Sequence, residues 1–386
     1  MPYTFEVLRR AFLREVVTLG GVAFLGRTHR YIEALAAQAC DAAPLGDLVG
    51  LVPLHGDSGR STPFGAVVGG EGLDARRFTD LSTLQPDRLV TPRGEFFLRT
   101  AAPPALQAQL PSWPISVDAL QRAARPMGAH LIECSGNTDP DNFGLMSVAE
   151  WDGVPLEEAI SSLAKPNEQG AGVLVTGLDY SQTSRSSAAG ASWVLSRQAV
   201  AKTSAFLATS VNGEPLPLDH GAPVRLVVPG WYGCSWIKWV QDLRTVGEDE
   251  PVTAQMIEFS LRTHQRVIPK RALEYEAPAI DLAATPIRVE KRRLNGRLEY
   301  RIVGIVWGGE RPVDRLMIRF RAGETPVPFT LCPAPRTHRT WSLWDYRWHP
   351  TEPGLYSIGL TAAHPGIRTR RLDISFYVRR VVIDEV

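Results

Sequence analysis

A chain of 386 residues, 44% hydrophobic and 22% charged, has a soluble globular composition and the length for two cores rather than one. Its formal net charge of +1 gives no general argument for nucleic acid or an anionic membrane, so a charged ligand must be read locally. Cys40, Cys134, Cys234 and Cys332 lie far apart with no Cys-x-x-Cys pair, which argues against zinc ribbons, iron–sulfur sites, c-type haem and a disulfide framework.

Arg9-Arg10-Ala11-Phe12-Leu13-Arg14 precedes a short, weakly apolar stretch over 16–25, too short to span a bilayer as an ordinary helix. Paired arginines before such a stretch look like a twin-arginine export signal, with Ala37-Gln38-Ala39 as its small-x-small cleavage site. Residues 1–39 are therefore expected to send the folded chain to the periplasm. The competing reading is an amphipathic opening helix of a cytoplasmic protein.

Residues 45–250 read as mixed α/β with long connections. Apolar runs at 51–54, 64–68, 96–99, 130–133, 172–176 and 224–228, bounded by Gly, Pro or Asp, predict strands. Helical spacing covers 117–124 and 192–201, with a shorter helix over 156–163 behind Pro155. This is not the regular βαβ alternation of a doubly wound sheet. Gly247-Glu248-Asp249-Glu250-Pro251 is a charged break, and 269–278 is a second irregular stretch. Beyond it, period-two runs at 287–290, 298–307, 315–321, 340–346, 354–360 and 372–382 predict an antiparallel β-sandwich of about 100 residues.

Three segments carry chemistry. The run His130-Leu131-Ile132-Glu133 ends in Cys134, followed by Ser135-Gly136-Asn137. A thiolate at such a strand end can ligate a soft or high-valent metal or attack an electrophile, although most lone cysteines are buried structural residues. His220-Gly221-Ala222-Pro223-Val224-Arg225 puts an imidazole in a turn and a guanidinium in a strand, and Trp236-Ile237-Lys238-Trp239 adds an ammonium between indoles. Converging Arg and Lys beside a Gly-rich turn suit a phosphate. Asp179, at another strand end, can accept hydrogen bonds from the amino groups of a fused heterocycle. Singly, each also reads as a turn residue, a surface charge or a core aromatic.

Taken in order, these segments resemble the sulfite oxidase family of molybdenum enzymes. Val211-Asn212-Gly213-Glu214-Pro215-Leu216-Pro217-Leu218-Asp219-His220-Gly221 through Arg225, Pro229-Gly230 and Lys238-Trp239 is similar to the family's "NG-PLP-DHG-P-R-VVPG…KW" block. Cys134-Ser135-Gly136-Asn137 resembles its metal-holding "C-x-G-N", Phe96-Phe97-Leu98-Arg99 its "FF-x-R", and Gly190-Ala191-Ser192 its "GAS" turn. Trp341, Trp344 and Pro353-Gly354-Leu355-Tyr356 match its C-terminal domain more weakly. The resemblance implies a mixed α+β fold: a molybdopterin-binding domain over 45–250, then an immunoglobulin-like β-sandwich over 275–386 that pairs two chains. Cys134 would give the one protein thiolate to molybdenum on a single molybdopterin. Phe97, Leu98, Arg99, Thr100, Ala101, Asp179, His220, Arg225, Trp236, Ile237 and Lys238 would hold the pterin and its phosphate, with no haem in the chain.

Three departures bear on the substrate. Arg99 is followed by Thr100-Ala101 rather than Asn-His, and Asn137 by Thr138 rather than arginine. The family's "LAY" is matched by Leu207-Ala208-Thr209, which puts Thr209 where its active-site tyrosine is expected. Arg99, Cys134 and Thr209 form the expected catalytic set, with Arg99 the sole remnant of the cationic substrate pocket. The implied reaction is oxygen-atom transfer to sulfite or a related small sulfur compound, with electrons leaving to an external protein such as a cytochrome. A reductase of a sulfoxide or oxyanion on the same fold, or a non-catalytic cofactor-binding or assembly module, are the alternatives.

Overall fold

The computed structural model describes residues 44–56, 67–71, 74–100, 106, 110–139, 143–163, 170–178, 191–362, 364–373 and 377–386. The Arg9-Arg10 segment, most of the run at 64–68, Ala101, Asp179 and Gly190 lie outside them. Every ladder between strands among the described residues is antiparallel, and helices are few and short.

Two sheets in the first half position the chemistry-bearing segments. Arg125–Glu133 pairs with Met146–Pro155, which pairs with Phe206–Val211; that strand also takes Arg225–Val227 and Glu214–Pro215. Exposure falls along Arg125–Glu133 until its last four residues are buried, so Cys134 leaves the strand from the core end. The second sheet orders Val240–Val246, Gly172–Gly177 and Ser192–Ser196. Here the expected helix over 192–201 is corrected: Ser192–Ser196 is a strand and the helix runs Arg197–Thr203. Trp193, Val194 and Leu195 are consecutively buried, as a strand covered on both faces requires. Ser196 then caps the helix, its Oγ accepting the Ala199 N–H at 3.0 Å. The helices Val117–Ala123 and Leu156–Leu163 fall where the spacing puts them.

The C-terminal half forms two further sheets. One orders Asp47–Val52, Ala283–Leu294, Arg297–Trp307 and Ser342–Trp348. The other orders Val327–Thr330, Arg315–Arg319, Gly354–Thr361, Arg379–Ile383 and Leu54–His55. Aromatic side chains join them: Trp344 meets Phe329 at 5.4 Å, and Trp348 stacks on Phe320 at 4.4 Å and meets Tyr356 edge-on at 4.9 Å. The hairpin between Ala283–Leu294 and Arg297–Trp307 turns on Asn295 and Gly296, both at positive φ (52° and 81°), the conformation a two-residue hairpin loop demands.

Residues 47–55 give their strands to these C-terminal sheets, and Leu45–Val386 form a single unit by their contacts. Of the cysteines, Cys134 and Cys234 are free, whereas Cys332 is disulfide-bonded, a crosslink that spacing alone did not indicate.

Candidate active site

Cys134 is held by its own turn. Its N–H donates to the Leu145 carbonyl at 2.9 Å, its carbonyl accepts from Asn137 N–H at 3.0 Å, and Asn137 Oδ1 accepts from Leu145 N–H at 3.0 Å. The sulfur accepts a hydrogen bond from Gly136 N–H at 3.4 Å. Burial pushes the thiol pKa up, and the Gly136 N–H, Arg99 and Arg262 draw it back toward the thiolate.

The Cys134 sulfur faces a cavity of about 420 Å³ lined also by Phe96, Phe97, Arg99, Thr100, His220, Arg225, Trp236, Ile237 and Lys238. Of the expected site residues, these come together from four separate segments. Leu98 is buried and is not on the lining. Thr209 also departs from expectation. It is buried in Phe206–Val211, a strand paired on both sides, and stands outside the lining. It falls at the register shift between Ala208 and Ser210, and its buried Oγ1 has no hydrogen-bond partner among the described residues. Ala101 and Asp179 lie outside the described residues.

Cations dominate one end. Arg225 is fully enclosed between Trp151 and Trp236, each 5.8 Å from its guanidinium, and donates to the carbonyls of His220 (3.0 Å) and Trp236 (3.3 Å). Burial lowers its pKa to about 9. Lys238 donates to the Asp219 carbonyl at 2.7 Å, and burial, then Arg225, lowers its pKa to about 7. His220 Nδ1 meets Asp219 Oδ1 at 2.6 Å, and burial lowers the imidazole pKa. No described carboxylate forms an ion pair with Arg225 or Lys238. A buried guanidinium and a desolvated ammonium without a counter-ion are costly to keep, and an anionic ligand removes the cost.

Four buried polar atoms on the lining residues lack protein partners: Thr100 Oγ1, Ser135 Oγ, His220 Nε2 and Arg225 Nε. Two of them are hydroxyls and two are nitrogens, the donor set that a phosphorylated heterocycle with ring nitrogens and carbonyls would satisfy. The residues present therefore fit an anionic pterin-like group.

Another wall was not visible in the sequence. Gln255, Glu258, Phe259 and Arg262 all line the cavity. Thr253 Oγ1 caps the helix Ala254–Glu258 by accepting from Met256 N–H, and a 3-10 turn, Ser260–Arg262, follows. The spacing 255, 258, 259, 262 is one helical face, the signal that could have found it. Arg262 leans on the Phe259 ring at 5.8 Å. Gln255 Nε2 donates to the Cys234 carbonyl at 2.5 Å, and Cys234 also lines the cavity, its thiol pushed up to about 12 by burial.

Residues 111–253 match the family model of the oxidoreductase molybdopterin binding domain. The mitochondrial sulfite oxidase of Rattus norvegicus is 27% identical over 261 residues, 61% of this chain and 46% of that protein. An inducible nitrate reductase [NADH] of Glycine max is 29% identical over 165 residues, 36% of this chain and 18% of that protein. The chain thus matches about half the length of its mammalian relatives. In fold, it is similar to the sulfane dehydrogenase SoxCD from Paracoccus pantotrophus, at a TM-score of 0.57 and 17% identity, covering 84% of this chain and 91% of that one.

Proposed function

For a chain that is a molybdopterin-dependent oxidoreductase of the sulfite oxidase family, we propose oxidation of a small anionic sulfur compound, sulfite or a relative of it, with electrons passed to an external electron-transfer protein such as a cytochrome. One observation carries the substrate class. Arg99 and Arg262 line the Cys134 cavity and both bear electrostatically on its sulfur, and neither has an ion-pair partner among the described residues. Two unneutralised guanidiniums beside the reactive centre favour an oxyanion. On this reading Arg262 joins Arg99 in the substrate pocket, where the sequence alone offered Arg99.

When bound, the molybdenum cofactor supplies two-electron oxygen-atom chemistry. The chain's own residues do the rest. Cys134 offers the single thiolate. Arg225, Lys238 and His220 bind and orient the anionic end of the pterin, and Thr100 and Ser135 contribute hydroxyls to it. Trp236 and Ile237 exclude water behind it. Arg99 and Arg262 hold the substrate anion. The experiment is steady-state turnover of the loaded protein with sulfite and with thiosulfate, using ferricyanide as acceptor. Saturable turnover with either supports the reading; turnover of an uncharged sulfoxide alone, with reduced benzyl viologen as the electron donor in place of ferricyanide, replaces it by the reductase reading.

Two coarser features complete the proposal. The paired C-terminal sheets make an immunoglobulin-like sandwich through which a second copy joins. The Arg9-Arg10 segment exports the folded protein to the periplasm.

A further inference from the structure

We propose that Arg370 and Trp307, from the C-terminal half, are positioning residues for Cys134, acting through the carboxylate of Glu133. The inference rests on the reading of Cys134 as the metal's protein donor.

Side chains alternate along a strand end. Ile132 and Cys134 line the cavity, and Glu133 points the other way and is 1% exposed. It is the handle on the reverse face. Arg370 grips it with a fork, Nη1 to Oε1 and Nη2 to Oε2, both at 2.8 Å. Trp307 Nε1 donates to Oε2 at 2.8 Å and Asn137 Nδ2 to Oε1 at 3.3 Å. Four donors saturate a carboxylate. Arg370 is itself fixed, with the rings of Tyr232 and Trp307 at 5.4 and 5.7 Å and Nη1 donating to the Tyr377 hydroxyl at 2.9 Å.

The cluster closes a loop around the sulfur. Asn137, which donates to Glu133, also donates its backbone N–H to the Cys134 carbonyl. The residue before Cys134 and the residue three after it are therefore tied to one another and to a strand end 174 positions along the chain.

Stability alone does not account for this choice. An apolar pair of similar volume would join the two halves as well, since a buried ion pair gains little over it. A carboxylate beside a sulfur that must carry negative charge is also unfavourable by itself. What a bidentate fork adds is direction: it fixes the plane of Glu133 and, through one backbone link, the angle at which the thiolate enters the cavity.

The test uses Arg370→Lys, which keeps the charge and loses the fork, and Trp307→Phe, which removes one donor. In cofactor-free protein, iodoacetamide alkylation of Cys134 is expected to rise about tenfold in each variant, the effect of one charge-assisted hydrogen bond, with Cys234 alkylation unchanged. In loaded protein the Mo(V) paramagnetic resonance signal should shift, with kcat falling more than KM rises. Parental alkylation rates in both folded variants would overturn the proposal. A parental protein that takes up no molybdenum would instead overturn the functional reading, and the alkylation result would still decide the positioning role.

Discussion

Arg262 and Cys134 meet across Gly136: a Cβ placed on that glycine would stand 3.3 Å from Arg262 Nη1 and 3.7 Å from the Cys134 sulfur. The bare glycine leaves the guanidinium and the sulfur on one wall of the same cavity. Replacing Arg262 by Gln removes a charge-assisted contact worth about 1.5–3 kcal/mol, so KM for an anionic sulfur substrate should rise roughly 10- to 100-fold with a smaller effect on kcat. Arg262→Lys should recover part of the loss. Equal KM values in steady-state assays of parent and Gln variant would remove Arg262 from the substrate site.

Cys134→Ser substitutes a hard hydroxyl for the single soft protein donor. Molybdenum coordination should be disturbed and turnover lost. The fold should persist, because the Cys134 backbone bonds to Leu145 and Asn137 do not involve the sulfur. Metal analysis and thermal melting of the variant check this. Retained turnover would contradict the assignment.

Lys238 is desolvated without an ion-pair partner among the described residues, so its removal should help the cofactor-free protein and harm the loaded one. Lys238→Met is expected to raise the cofactor-free melting temperature by a few degrees, for a gain of about 1 kcal/mol, and to lower cofactor retention. Its folded pKa of about 7 lies below the ordinary value of 10.5. Between those values the unfolded chain binds more protons, so this group makes the cofactor-free protein more stable as pH rises through that window. The melting temperature of the Met variant should lack that rise.

The same group sets the sign for anion binding. Sulfate, whose charge does not change over this range, favours charged Lys238, so above pH about 7 its binding takes up a proton and weakens as pH rises. Titration calorimetry of the cofactor-free protein over pH about 6 to 9 should show affinity falling by up to about tenfold per unit above 7. An affinity that does not change with pH would count against Lys238 as an anion ligand.

The residues proposed to hold the anionic end of the cofactor stand out in the sequence because turn and charge are written contiguously. Asn212 and Gly213 both take positive φ, and His220, Arg225 and Lys238 follow in one stretch. Cys134 was legible because a buried strand runs directly into a small-residue turn. Thr209 stands outside the cavity lining, and a triplet match could not foresee this, because it locates a residue along a strand without saying which face it occupies. The wall of Gln255, Glu258, Phe259 and Arg262 was hidden because polar residues at helical spacing read as the wet side of a short helix. Glu133 was read only as the residue before the thiol. Its partners Trp307 and Arg370 lie 174 and 237 positions away, a separation that no local pattern spans.

The most direct measurement is molybdenum and pterin analysis of protein purified from a host able to make the cofactor, with Arg225→Met prepared alongside. Molybdenum and pterin equimolar with the parent chain, and both depleted in the Met variant, are the expected result. A folded parent chain free of both would contradict the account at its centre.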